Sequence, residues 1–569
     1  MSKSYTSYGD KGFSKFLRSA FNRHLGYSES DFDKPIIGIC NTYSEINRCH
    51  SHLKPIVEAV KRGVIMAGGT PLEFPTISLG EINISPTSML YRNLASIDTE
   101  EMIRAQPMDG VVLLGGCDKV TPAQLMGAAS ANIPSIFLTG GPMMNGEYEG
   151  KTLGACSDCR FYWQEFRAGK IDEPKLMEIN EALAPTAGHC MVMGSASTMA
   201  VCTEALGMML PGAAAIPATH NKRLQLALET GKQIVETVKL GLKPSDIMTK
   251  NSFVNAIRLL MAVGGSTNAV IHLIAVAGRL GIKLPLALFD EISKTTPLLG
   301  NLRPSGAYQM EDFYRAGGAS ALLRELSPLL HLEERTVTGR TLGEEIKDAN
   351  VPEAYRDIIR PLHEPLHDDG GIAVLTGNLA PNGAVIKTKA ASPHLLKHKG
   401  RAIVFTSIQD MEERINAPDL EVNKEDILVL QNAGPIAAPG MPEAGMLPIP
   451  KKLLEQGVRD MVRISDARMS GTAFGTIILH VAPEAGVCGP IALVQTGDVI
   501  EIDVSTRGLH LHVTDDILEQ RKKMWKPITI SERGYTRLYQ QHVLQAEEGC
   551  DFDFLLPKAK EKEEAVSNE

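Results

Sequence analysis

Lys34-Pro35-Ile36-Ile37-Gly38-Ile39-Cys40 decides the fold. The apolar run reads as a strand buried on both faces. A polar loop, residues 41–52, follows it, and then Leu53, Ile56, Val57, Val60 and Val64 recur at helical spacing up to Gly68-Gly69. Leu72-Glu73-Phe74-Pro75-Thr76-Ile77 is the next extended run. Val111-Val112-Leu113-Leu114 is a third, closed by Gly115-Gly116, and residues 133–138 form a fourth, closed by Gly140-Gly141. Strands alternating with helical patterns predict a parallel α/β sheet.

Further along, residues 222–365 read as mostly helical, and the last third turns to short β runs. These are Ala402-Ile403-Val404-Phe405, Ile427-Leu428-Val429-Leu430 and Thr476-Ile477-Ile478-Leu479. Ile500, Ile502 and Val504 alternate with polar residues, and a turn at Arg507-Gly508 leads to Leu509, Leu511 and Val513. That is a hairpin with one buried face. A boundary falls between Ala373 and Ala391. The expected division is an α/β domain over 1–375 and a β-rich domain over 376–569, with a charged, disordered tail after residue 557.

The chain has 569 residues and a formal net charge of −9, which argues against nucleic acid as the main partner. Aromatic residues make up 5%, too few for a platform that stacks single-stranded bases. Residues 259–278 carry no Asp, Glu, Lys or Arg, but Gly264-Gly265-Ser266-Thr267-Asn268 interrupts them. A turn between buried segments is expected there, not a membrane span. No apolar run follows the first basic residues, so no secretory signal is read. Lys11, Lys15 and Arg18 among Phe13, Phe16 and Leu17 read as mature fold, with Asp10 opposing a transit peptide. The nine cysteines suit buried or ligand roles in a cytoplasmic protein better than a disulfide framework.

Three cysteines stand beside element ends. Cys49 lies in the loop after the first strand, Cys117 directly follows Gly115-Gly116, and Cys190 precedes a Gly/Ser turn and a helical stretch. Ligands gather at the carboxyl ends of strands in open parallel sheets, and thiolates so placed suit zinc or an iron–sulfur cluster. Ordinary buried thiols are the plain alternative. Cys156-Ser157-Asp158-Cys159 stands alone, with no second C-x-x-C, and reads as incidental. Cys40 and Cys202 sit in apolar patterns and read as core. Asp118, Glu81 and Glu443 all lie on loops, and hard oxygen ligands on loops suit Mg²⁺; each could equally be a solvated acid. Lys119 beside Asp118 reads as its salt-bridge partner. His510 and His512 face outward on the hairpin and read as solvent-exposed.

Several motifs together resemble the dihydroxy-acid dehydratase and 6-phosphogluconate dehydratase family. They include Gly116-Cys117-Asp118-Lys119, Gly188-His189-Cys190-Met191 with Gly194-Ser195-Ala196-Ser197, and Gly264-Gly265-Ser266-Thr267-Asn268. Gly377-Asn378-Leu379-Ala380-Pro381, Pro439-Gly440-Met441-Pro442-Glu443 and Ala482-Pro483-Glu484-Ala485 continue the series in order. The resemblance implies an N-terminal α/β domain with a C-terminal β-barrel-like domain, assembled as a homodimer or homotetramer. It implies a hydro-lyase that turns a 2,3-dihydroxy carboxylate into a 2-keto acid. It also implies a [2Fe–2S] cluster on Cys49, Cys117 and Cys190, and Mg²⁺ on Glu81, Asp118, Glu443 and a carboxylated Lys119. Ser470 matches the family's catalytic serine, with Lys119 as the second catalytic group.

Within the family, Ser465-Asp466-Ala467-Arg468-Met469-Ser470-Gly471-Thr472 and Ser78-Leu79-Gly80-Glu81 are similar to the sugar-acid dehydratases, especially the arabinonate-type enzymes. The substrate so implied is a polyhydroxy acid such as L-arabinonate or xylonate. The alternative is 2,3-dihydroxy-isovalerate, or a permissive enzyme acting on both. Arg48 and His50 depart from the Pro and Asn usual around Cys49.

Overall fold

The structure, a computed structural model, describes residues 10–557. The charged tail read from the sequence lies outside the described residues. The chain opens on helix α1 (Lys11–Asn22), where Lys15 pairs with Asp33 at 2.5 Å. Four strands follow, β1 (Ile36–Asn41), β2 (Thr70–Pro75), β3 (Gly110–Gly115) and β4 (Ser135–Thr139). They form one sheet in the order β2-β1-β3-β4, parallel throughout. Every residue of β1 and β3 is buried. This is why both read as unbroken apolar runs, since helices cover both faces of such a sheet.

Helices α2 (Leu53–Met66), α3 (Arg92–Ala105) and α4 (Val120–Ala131) make the crossovers, and α7 (Asn221–Leu240) packs along α2, once α5 (Ser157–Arg167) and α6 (Ser195–Ala205) have intervened. The α2–α7 crossing is set by two glycines. A Cβ on Gly63 would stand 2.0 Å from the Leu228 carbonyl oxygen, and one on Gly231 would stand 2.2 Å from that of Val60. The backbones therefore touch, and no larger residue fits at either point.

The uncharged stretch at 259–278 is the end of α8 (Lys250–Ala262), a turn with Gly264 at φ 58°, and α9 (Asn268–Arg279). Among the described residues, no helix is long and apolar enough to cross a membrane.

The last third closes into an eight-stranded barrel. Its strands are β5 (Ile372–Gly377), β6 (Ala380–Lys387), β7 (Lys397–Phe405), β8 (Ile427–Leu430), β9 (Arg463–Ser465), β10 (Ile477–Ala482), β11 (Val499–Asp503) and β12 (Gly508–Leu511). Around the wall they run β8-β9-β10-β6-β5-β12-β11-β7. The β7-β8-β9-β10 run is parallel, and β5-β6 and β11-β12 are antiparallel hairpins. Ile386, Val404, Val429, Ile464, Ile478 and Ile500 fill the interior. Closure removes the open edges that such short strands would otherwise expose.

After the barrel, the chain returns to the first domain. Helix α10 (Gly534–His542) lays Tyr535 against Leu90, whose carbonyl accepts from the Tyr535 hydroxyl at 2.9 Å. The buried Arg92 donates to the carbonyls of Gly549 and Cys550 at 2.9 and 2.8 Å, and the buried Arg279 pairs with Asp551 at 2.5 Å.

Candidate functional site

The carboxyl ends of β1 and β3 open onto a cavity of about 360 Å³, within the range of sites for small ligands. The wall on the sheet side carries thiols. Cys49, Cys117 and Cys190 all face this cavity. The neighbouring Cys49 thiol, together with burial, pushes the Cys117 thiol well above its ordinary value.

Two residues that depart from the family pattern build this wall. His50, fully buried, accepts the Cys117 backbone N–H on Nε2 at 3.0 Å, so its other nitrogen, Nδ1, carries the proton. Nδ1 then donates to the Thr42 carbonyl at 3.0 Å. Burial holds His50 neutral by lowering it to about 3. Arg48 donates to the carbonyls of Ala184 and Thr186, the latter at 2.7 Å, and so ties the Cys49 loop to the segment entering Cys190. On the Cys190 side, Ser197 of α6 donates to the Cys190 carbonyl at 3.1 Å.

The opposite wall carries carboxylates. Oxygens of Glu81, Asp118 and Glu443 lie within 4.8 Å of one another. Lys119, fully buried as the residue before α4, sets its ammonium 2.6 Å from Asp118 and 3.7 Å from both Glu81 and Glu443. Arg468 is equally buried and reaches Glu443 at 3.2 Å. Burial pushes Glu81 up, but the Lys119 and Arg468 cations outweigh it and bring the carboxyl down to about 2. Thr87 supports that charge with a hydrogen bond of 2.7 Å. Glu443 goes the other way: burial and the Glu81 charge hold it above its ordinary value against the pull of Lys119. Read from its neighbours in the chain, Lys119 pairs with Asp118; Glu81 and Glu443, which the family resemblance grouped with it, converge on it from two further segments.

Ser470 belongs to the loop after β9 and faces the same cavity. Its hydroxyl lies 2.8 Å from that of Thr472. The loop is pressed against the first domain at Gly471, where a Cβ would stand 2.6 Å from the Ser195 nitrogen and the Ser266 hydroxyl. Lys387, at the end of β6, donates to the Gly471 carbonyl at 3.5 Å. It is fully buried, and burial lowers it to about 7. No motif marks Lys387. Its only sequence signal is a lysine ending an apolar strand, and that usually means a solvated strand end.

Thus Cys49, Cys117, Cys190, Glu81, Asp118, Glu443 and Ser470 line one cavity, with Lys119 beneath its acidic wall. One reading needs correction. Cys156 is not incidental: it lines the cavity, with its sulfur 3.5 Å from that of Cys190. Its neighbour Arg160 also lines it, and the Arg160 Nε has no hydrogen-bond partner among the described residues.

A sequence profile described as dihydroxy-acid/6-phosphogluconate dehydratase N-terminal matches residues 34–345, and its C-terminal counterpart matches residues 357–550. An L-arabonate dehydratase of Azospirillum brasilense is 49% identical over 560 residues, covering 96% of this chain and 96% of its own. A 6-deoxy-6-sulfo-D-gluconate dehydratase of Pseudomonas putida is 48% identical, over 94% of this chain and 93% of its own. A dihydroxy-acid dehydratase of Caldanaerobacter subterraneus subsp. tengcongensis stands at 43%, over 93% and 95%.

Proposed function

The chain belongs to the dihydroxy-acid/6-phosphogluconate dehydratase family, and from that premise we propose that it dehydrates a sugar acid, an aldonate such as L-arabinonate, to the 2-keto-3-deoxy acid. The observation that carries the reading is one cavity with thiols on one wall, carboxylates on the other and Ser470 between domains. Higher identity to the sugar-acid enzymes than to the dihydroxy-acid dehydratase supports the substrate class.

The donor sets fit two groups. Three thiols on one wall suit a [2Fe–2S] cluster held by Cys49, Cys117 and Cys190, which leaves one ligand position unfilled. Three carboxylates around a buried cation suit Mg²⁺ held by Glu81, Asp118 and Glu443. The Lys119 ammonium sits where a metal cation would balance the same charges. Carboxylation of Lys119 would turn that cation into a fourth oxygen ligand. When bound, these groups supply Lewis acidity that loosens the C3 hydroxyl and acidifies the C2 proton and the Ser470 hydroxyl.

Ser470, as its alkoxide, takes the proton from C2. The C–H electron pair becomes the C2–C3 double bond. The C3 hydroxyl leaves with its bonding pair and takes the proton now on Ser470 to depart as water, which restores the alkoxide, and the enol tautomerises to the keto acid. Lys387 and the Ser195–Gly471 contact hold the Ser470 loop against the first domain. Arg160 and Asn83 on the wall suit the distal hydroxyls of an aldonate. A branched alkyl end would leave the buried Arg160 Nε without a partner, which discriminates more strongly than a change in apolar size.

The test is keto-acid release by anaerobically purified protein with Mg²⁺, on C4–C6 aldonates beside 2,3-dihydroxy-isovalerate, with the visible spectrum recorded on the same sample. Turnover of aldonates is expected. Turnover of dihydroxy-isovalerate alone would replace the substrate proposed here with that of branched-chain amino-acid synthesis.

A further inference from the structure

Cys156-Ser157-Asp158-Cys159 sits at the start of α5, against the thiol wall. Cys156 precedes the first turn at φ 75°, ψ −36°, a conformation that a side chain makes costly and that persists where the surroundings enforce it. Held there, its sulfur stands 3.5 Å from that of Cys190. Cys159 follows three residues on, in the first turn of α5. Cys156 thus touches Cys190, with Cys159 one helical turn behind it. Bonding distance in a disulfide is about 2.0 Å, so a movement of about 1.5 Å closes the Cys156–Cys190 gap. A thiol serving only as packing needs neither the costly backbone nor contact with Cys190.

We propose that Cys156 and Cys159 form a thiol relay that rescues Cys190 after oxidation by a peroxide when the cluster is absent. The proposal rests on the reading of Cys190 as a cluster ligand. The Cys190 thiolate attacks one peroxide oxygen; the O–O bond breaks, the peroxide is reduced to water and the sulfur becomes a sulfenic acid. The Cys156 thiolate attacks that sulfur, the S–O bond breaks, and water leaves as the Cys156–Cys190 disulfide forms. Cys159 then attacks the Cys156 sulfur, and Cys190 departs as a thiolate, free for a cluster. Overall, two thiols and one peroxide give one disulfide and two waters. The oxidising equivalents rest on Cys156–Cys159, where a dithiol reductant removes them. Without the relay, the Cys190 sulfenic acid proceeds to sulfinic acid, which dithiols do not reverse.

The test uses the full-length chain, cluster-loaded and cluster-stripped. It is treated briefly with hydrogen peroxide, alkylated and mapped by mass spectrometry without reduction. Cluster-stripped protein is expected to give Cys156–Cys190 and Cys156–Cys159 linked peptides, and Cys159→Ser only the first. Cys156→Ser should give neither, with several-fold more sulfinic and sulfonic Cys190. It should also show a matching loss of the visible absorbance regained after dithiothreitol, iron and sulfide. Cys190 linked instead to Cys49 or Cys117, or equally oxidised in wild type and Cys156→Ser, would overturn the relay. So would Cys156→Ser protein unable to take up a cluster before any peroxide, because Cys156 would then be a ligand. If untreated wild-type protein takes up no cluster, the cluster reading fails, and the linked peptides still decide the relay chemistry.

Discussion

The two walls of the cavity are built on opposite electrostatic plans. Behind the thiols stand directed hydrogen bonds made by the His50 imidazole, a serine hydroxyl of α6 and the Arg48 guanidinium, which reach the Cys117 amide and backbone carbonyls, and no ion pair among the described residues. Behind the carboxylates stand two buried cations, Lys119 and Arg468. The thiol wall is held by directed hydrogen bonds to backbone groups. The acidic wall is held by charge balance. A fault on the first should therefore show as lost geometry, and a fault on the second as an uncompensated charge.

Removing the group that works between the walls should have the largest effect. Ser470→Ala is expected to lower kcat by about 10²–10⁴-fold while the visible absorbance stays as in wild type. Loss of both together would place Ser470 in the thiol wall's support instead. Next is the acidic wall. Lys119→Ala leaves three close carboxylates without their central cation, and about 3–5 kcal/mol of stability should be lost in metal-free protein. Mg²⁺ should then raise the unfolding temperature of this variant more than that of wild type. Equal responses would mean that charge balance is not what holds the wall.

The thiol wall should respond more mildly. His50→Ala leaves the buried Cys117 N–H unpaired, at a cost of about 1–3 kcal/mol, and should lower iron bound per chain without changing the Mg²⁺ response. An effect confined to acid pH concerns His480 on β10, which burial and the Arg468 charge lower to about 3. Its folded form stays neutral while the unfolded chain takes up a proton below about 6.5. Its contribution is complete above pH 6.5 and is lost as pH falls toward 3, by at most about 1.4 kcal/mol per pH unit. The stability difference between wild type and His480→Gln should shrink over that window. A difference that is flat with pH would mean that His480 is charged in the folded protein.

How much of this was legible depends on how local the cause is. Gly115-Gly116-Cys117-Asp118-Lys119 was readable because a buried strand ending in glycines says where the next side chains go. In the barrel, β7, β8 and β10 were readable as short apolar runs and β11–β12 as an alternating hairpin, whereas β5 and β6 lie across the expected boundary and were not read; nor was the order around the wall. A period of two fixes which face a residue takes and not which strand lies beside it. Arg48 and His50 looked like departures from a pattern, because their partners, Thr186 and Cys117, lie far along the chain. Cys156 was misread for the same reason: a lone C-x-x-C says nothing about a thiol 34 residues on. Lys387 gave no signal, since only closure of the barrel brings its strand end beneath Gly471.

The return of the chain onto its first domain also sets an order of assembly. Arg92 at the start of α3 and Arg279 at the end of α9 are buried, yet the carbonyls of Gly549 and Cys550 and the Asp551 carboxylate that receive them are synthesised hundreds of residues later. Until that segment is made, Arg92 lacks those carbonyl acceptors, and Arg279 has only Glu100, Ser96 and Ser130 of its own domain. The first domain therefore completes its buried charge pairing only with the last strap of the chain.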